Sequence, residues 1–133
     1  MSETRSKDEA AIRAVLAGVY DAWGTDADAF VADYTEDATA ILPGSYRRSK
    51  EEVRQKMAEG FASVLKGSTT RDEIRSIRFL GADAAVVVSE TGILFPGEAL
   101  VPADRVANAT WVLEKRDDKW LIAAYHNSPA HAG

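Results

Sequence analysis

The stretch Trp111-Val-Leu-Glu-Lys-Arg-Asp-Asp-Lys-Trp120-Leu-Ile-Ala-Ala-Tyr-His-Asn127 decides the fold class. Two β-favouring apolar runs flank the tetrad Arg116-Asp-Asp-Lys119, the mark of a hairpin with a two-residue turn. Working back from it, segments 105–116, 84–95 and 69–80 read as three earlier strands, with 119–127 as the last. A longer loop holding Pro96, Gly97 and Pro102 interrupts this meander. Before residue 68 the period changes. Ile12, Val15, Leu16, Val19 and Trp23 recur at helical spacing behind Ser6-Lys-Asp-Glu9, which has capping-box form, and Gly24 is the expected stop. Thr25 and Asp26 open a short second helix carrying Phe30, Val31 and Tyr34. Residues 37–42 read as a strand ended by Pro43-Gly44, with 46–48 as a short partner. Ser49-Lys-Glu-Glu52 is a second capping box, opening a helix with Val53, Met57, Phe61, Val64 and Leu65 on one side and Gly67 at its end. Residues 128–133 read as a loose tail. Helices first and an antiparallel meander afterwards give an α+β class, with helices on one face of a curved sheet. Parallel βαβ units are excluded by that order.

The 133 residues suit one domain, with a core expected over about 8–129 of 1–133. A hydrophobic share of 46% and a charged share of 28% are those of a globular chain. There is no cysteine, hence no disulfide and no thiol chemistry. The net charge of −5 argues against nucleic acid or an anionic membrane surface as partner. Residues 1–9 alternate charges without an apolar run, and no apolar stretch nears the ~20 residues that span a bilayer. A cytoplasmic protein is expected.

The familiar cofactor signatures are missing. Neither G-x-G-x-x-G for a dinucleotide nor G-x-x-x-x-G-K-[ST] for a phosphate occurs, and there is no G-x-S-x-G nucleophile elbow. His126 and His131 have no partner at metal-ligand spacing. No cofactor and no metal are expected. The charge runs Arg47-Arg48-Ser-Lys50 and Glu114-Lys-Arg-Asp-Asp-Lys119 read as solvated faces and turns.

Several segments together carry a resemblance: Asp21-Ala-Trp-Gly-Thr-Asp-Ala-Asp-Ala-Phe30, Asp33-Tyr-Thr-Glu-Asp-Ala-Thr-Ala-Ile41, Pro43-Gly-Ser45 and the hairpin quoted above. In order and spacing they resemble the nuclear-transport-factor-2-like superfamily, which includes ketosteroid isomerases and polyketide cyclases. Arg78-Phe-Leu80, Ala84-Ala-Val-Val-Val88 and His126-Asn-Ser-Pro129 are most similar to the SgcJ/EcaC branch, some of whose members belong to enediyne and other polyketide antibiotic clusters. The resemblance spans about residues 8–129. It implies a cone, or cystatin-like α+β roll: a strongly bent sheet wraps the first helix and leaves a pocket between sheet and helices. It also implies a homodimer through the outer sheet face, polyketide-pathway enzymes as partners, and a cofactor-independent isomerase, cyclase or dehydratase if the chain is an enzyme. Carried over by position, the ketosteroid isomerase base falls near Leu42, its tyrosine near Gly18 and its protonated aspartate near Trp111, so all three groups are absent.

The register implied by the resemblance turns Val86, Val88 and Glu90 inward, with Ala107, Ala109 and Trp111, and with Trp120, Ile122, Ala124 and His126. Glu90 and His126 are then the candidate acid–base pair. Tyr34, Met57, Phe61 and Trp111 line the pocket, and Tyr46 closes its mouth. A desolvated Glu90 carboxyl would have a raised pKa suited to proton transfer. The alternative for Glu90 is an ion pair with Arg75, Arg105 or a dimer mate; for His126 it is a neutral, hydrogen-bonded strand histidine. Trp23 and Trp120 are expected in the core, and Asn108 and Asn127 on the outer face. The expected ligand is a small, apolar molecule, a polyketide intermediate that the protein binds or transforms. The competing expectations are a non-catalytic accessory protein of a synthase and a dimeric interaction module.

Overall fold

A computed structural model describes residues 3–131. The chain runs α1 (Glu3–Asp21), α2 (Ala27–Phe30), β1 (Tyr34–Leu42), β2 (Ser45–Arg47), α3 (Lys50–Ala62), β3 (Thr69–Phe79), β4 (Ala84–Leu94), a 3-10 turn (Ala103–Arg105), β5 (Ala107–Arg116) and β6 (Lys119–Pro129). The strands form one sheet in the order β2-β1-β6-β5-β4-β3. Only β1 and β6 pair in parallel; every other pairing is antiparallel. This is the expected α+β arrangement, with β1 and β2 ahead of α3 and the antiparallel β3–β6 meander after it.

Local chemistry explains the boundaries. Asp26 caps α2 by accepting from the Ala29 amide at 3.0 Å. Ser49 caps α3 by accepting from the Glu52 amide at 3.1 Å, as its capping box predicts. Asp117 and Asp118 both take positive φ, 50° and 62°, which is the geometry of a tight hairpin turn whose twist matches its strands. Three expectations need correction. Helix α1 already begins at Glu3, so Ser6 lies inside it rather than capping it. Helices α1 and α3 end at Asp21 and Ala62, before Gly24 and Gly67, whose φ of 79° and 77° belong to the turns that follow. Residues 128 and 129 are not tail but the end of β6, because Asn108 and Ala107 pair with them; residues 132 and 133 lie outside the described residues.

The core lies between the helices and the concave sheet face. Ile12, Leu16 and Val19 of α1 meet Val87, Leu113 and Ile122 of the sheet, all nearly inaccessible to water. Burying each such side chain contributes roughly 1.5–3 kcal/mol. The N-terminal half of α1 is fastened by Asp8, which accepts from Trp120 Nε1 at 3.1 Å and pairs with Lys115 Nζ at 3.2 Å. At the same end, Arg5 donates to the Gly81 carbonyl and lies over the Phe79 ring, which packs on Trp120.

The register of β4 and a bulge in β6 set which side chains face inward. In β4, Ala85, Val87 and Ser89 are fully buried while Val86, Val88 and Glu90 are not. The register thus turns the odd positions inward, opposite to expectation. In β6, Trp120 and Ile122 are buried, but the pairing with β5 skips a residue between Ala124 and Ile122. This bulge at Ala123 reverses the alternation beyond it. Tyr125 and Asn127 consequently face inward, and His126 faces out.

Candidate functional site

The C-terminal end of α1, α3 and the far half of the sheet enclose a cavity of about 230 Å³. Its existence follows from side-chain size along three rungs of the sheet. In one rung Arg47, Ala40, Tyr125, Trp111 and Val87 are successive pairing partners. In the next, Asn127, Ala109 and Ser89 pair in turn; in the third, Ala107, Thr91 and Asp72. Ala40, Ala107 and the backbone of Gly92 stand in the cavity wall, where larger residues would fill the space. Gly92 also lets the 95–106 loop lie against β4, since a Cβ there would sit 2.5 Å from Val101 Cγ1. Val19, Phe30, Met57 and Leu65 supply the apolar walls from the helical side.

The polar groups of the cavity are few and ordered. Trp111 stands in its wall, with the Tyr125 ring at 4.4 Å and the Tyr20 ring edge-on at 6.1 Å. The Trp111 Nε1 is spent on Ser89 Oγ at 3.3 Å. Asn127 donates to the Tyr125 hydroxyl at 2.9 Å. The Tyr20 hydroxyl donates to Asp72 Oδ1 at 3.0 Å and lies 3.3 Å from Thr91 Oγ1. Thr91 gives its own proton to the Arg71 carbonyl. Asp72 is therefore behind the wall, reached from the cavity through Tyr20.

Burial sets the protonation of this group. It raises the Tyr20 and Tyr34 hydroxyls far above their ordinary range and pushes Tyr125 up to about 12. All three stay neutral donors at physiological pH. Burial also raises the Asp72 carboxyl, against the hydroxyls of Ser89, Tyr20 and Thr91, which favour its charged form. Two arginines reach the cavity. Arg105 is committed: it pairs with Glu98, donates to the Ile93 carbonyl at 2.7 Å and lies over Phe95. Arg47 is partly buried, and burial lowers its pKa; guanidinium nonetheless stays charged.

Tyr34, Met57 and Trp111 line the cavity, as does Trp23, which the sequence had consigned to the core. Phe61 does not; it is packed against Trp23 and Phe30. Tyr46 is 61% exposed and outside the wall, because its neighbour Arg47 takes the inward position of β2. Glu90 lies on the outer sheet face, 3.3 Å from Arg75, with its side chain 44% exposed. His126 is exposed on that same face, opposite Thr110. The expectation that these two converge in the pocket is thus corrected. Among the residues lining the cavity there is no carboxylate and no imidazole. Tyr20, Asp72, Arg47, Tyr125 and Asn127 were missed. Gly18, where the resemblance put a tyrosine, faces solvent; Tyr20, two residues on, faces the cavity. Among the described residues no cluster of three or more His, Asp or Glu could hold a metal, and no helix is long and apolar enough to cross a membrane.

Comparison with known proteins agrees with this fold. Residues 12–132 match the family described as SnoaL-like domain. A domain of unknown function with a cystatin-like fold from Nostoc punctiforme is 27% identical, with a TM-score of 0.87 over 95% of this chain and 79% of that one. An NTF-2-like protein of unknown function from Shewanella oneidensis is 26% identical, with a TM-score of 0.77 over 91% and 98%. A ketosteroid isomerase-like protein from Erwinia carotovora is 25% identical, with a TM-score of 0.69 over 92% and 96%. Among proteins of curated function, none matches this chain.

Proposed function

The chain belongs to the SnoaL-like domain family, and from that premise we propose that it holds a small, largely apolar molecule in the cavity beneath the end of α1. The observation that carries this reading is the enclosed space of about 230 Å³ around Trp111, apolar except for hydroxyl, amide and guanidinium groups at fixed points. Such a mixture is the usual composition of a small-molecule site. The volume lies below the roughly 300–1,000 Å³ of drug-sized sites. It suits a compact one-ring molecule, or one end of a longer chain. A polyketide intermediate of the SgcJ/EcaC and enediyne kind would insert an end rather than its whole length.

Acid–base chemistry, if the protein performs it, falls to Tyr20 rather than to Glu90 and His126. The Tyr20 proton is given to Asp72 Oδ1, so the phenol oxygen is the atom that a ligand meets from the cavity. Tyr20 is then the contacting group and Asp72 its positioning residue. The absence of any acid or imidazole from the wall favours the second reading, a binder that shields its ligand without changing it. In either case the protein needs no cofactor for the role. A cytoplasmic location and a homodimer belong to the same reading. The half-buried Val86, Val88 and Val112 on the outer sheet face supply apolar surface for the second copy.

Calorimetric titration with 3-phenylpropanol tests the reading. The wild type is expected to bind one molecule per chain. Ala40→Leu, which extends a side chain between Arg47 and Tyr125, is expected to weaken binding at least tenfold, a loss of about 1.4 kcal/mol, with its circular dichroism unchanged. Undiminished binding by a folded Ala40→Leu would remove the cavity from any ligand role.

A further inference from the structure

Arg47 sits in the cavity wall at one end of the rung Arg47-Ala40-Tyr125-Trp111. Its contacts are weak for a guanidinium. Nε donates to Ser45 Oγ at 3.3 Å and Nη1 to the Met57 thioether at 3.2 Å. Thioether sulfur is a poor acceptor, and a guanidinium has five N–H donors to satisfy. Among the described residues no carboxylate lies within ion-pair distance of Arg47, whereas Arg105, on the same cavity, is held by Glu98. Glu59 acts on Arg47 only through its longer-range field. A partly buried cation without a counter-charge is costly, and a bound anion would relieve that cost.

The surroundings of Arg47 fit an anion as well. Ala40 beside it leaves room at the head of the cavity. Beyond Ala40 is Tyr125, a neutral phenol at physiological pH. Asn127 already donates to the Tyr125 oxygen, so the Tyr125 proton is free to donate onward. A forked donor and a phenol on one rung match the two oxygens of a carboxylate. We infer that Arg47 is an anion-recognising residue, and that the ligand of this cavity is a small apolar monocarboxylate, its acid end toward Arg47 and its apolar body over Trp111. This rests on the reading of the cavity as a ligand site, and gives it a polarity.

The test uses a matched pair, 3-phenylpropanoate and 3-phenylpropanol, titrated by calorimetry at pH 7 into wild type, Arg47→Met and Arg47→Lys. The acid is expected to bind wild type at least about tenfold tighter than the alcohol, the scale of a charge-assisted hydrogen bond. In Arg47→Met that preference should vanish, and an unchanged circular dichroism spectrum shows that the variant is folded. Arg47→Lys, with charge but no fork, should fall between them. Equal binding of acid and alcohol by wild type would overturn the inference and leave the cavity reading standing, as would an unchanged acid preference in Arg47→Met. If neither compound binds wild type, the cavity reading fails and takes the inference with it.

Discussion

The two ends of α1 each meet a carboxylate bonded to an aromatic donor, and they behave in opposite ways. Near its start, Asp8 accepts from the Trp120 indole and pairs with Lys115. The Trp120 bond, followed by Lys115, holds its carboxyl below the ordinary value despite burial. Near its end, Tyr20 donates to Asp72, which has no ion-pair partner among the described residues, and burial raises that carboxyl. At Asp8 the Trp120 bond, then Lys115 and the field of Arg5, outweigh burial, whereas at Asp72 burial outweighs three hydroxyls. The first end is packed with Phe79 and Trp120 and works as a latch. The second opens onto the cavity, from which Tyr20 screens a carboxyl whose charged form burial disfavours.

Denaturation measured across pH tests this contrast, starting with its largest effect. Asp8→Ala removes the acceptor of a buried indole and the partner of Lys115, and is expected to cost about 2–3 kcal/mol at pH 7. The Asp8 carboxyl is lowered in the folded state. Its contribution is therefore present above the ordinary value of 3.8 and lost as pH falls through the lower folded value, so the penalty should shrink toward pH 2. Asp72→Asn should run the other way and be smaller. A raised carboxyl binds its proton more tightly in the folded state, so its charged form is a burden above the folded value and absent below 3.8. The variant should gain on wild type on going from pH 3 to pH 7, by less than the Asp8→Ala penalty. Parallel pH profiles for the two variants would break the comparison. Smallest of all, Glu90→Gln is expected to shift stability by less than about 0.5 kcal/mol and leave 3-phenylpropanol binding unchanged, because an exposed ion pair on the outer face contributes little.

The order of elements was legible from period, caps and turn residues: Ser49 and Asp26 cap as their types require, and Asp117-Asp118 turn as a hairpin must. The inward face of two strands was not. Val86-Val87-Val88 is apolar at both parities, so alternation carries no information there. In β6 the run Trp120 to Tyr125 is apolar at every position, and one bulged residue, Ala123, shifts the inward face without any local residue announcing it. Those two slips moved Glu90 and His126 into the pocket and Asn127 out of it. Arg47 was hidden in a basic run whose other members, Arg48 and Lys50, pair with Glu52 and Glu36 near the surface. Asp72 was hidden between Arg71 and Glu73, both exposed. Tyr20 did leave a signal. It follows Leu16 by four and Ile12 by eight, on the flank of the apolar stripe of α1.

The three tryptophans offer the most direct test, since each reports a different place. Trp23 and Trp111 line the cavity, and Trp120 belongs to the latch at the other end of α1. In an amide-correlated nuclear magnetic resonance spectrum of ¹⁵N-labelled protein titrated with 3-phenylpropanol, the Trp23 and Trp111 indole signals should move together and saturate. The Trp120 signal should stay in place. Movement of Trp120 without Trp111, or no movement of any of the three at saturating probe, would contradict a ligand site at the open end of the cone.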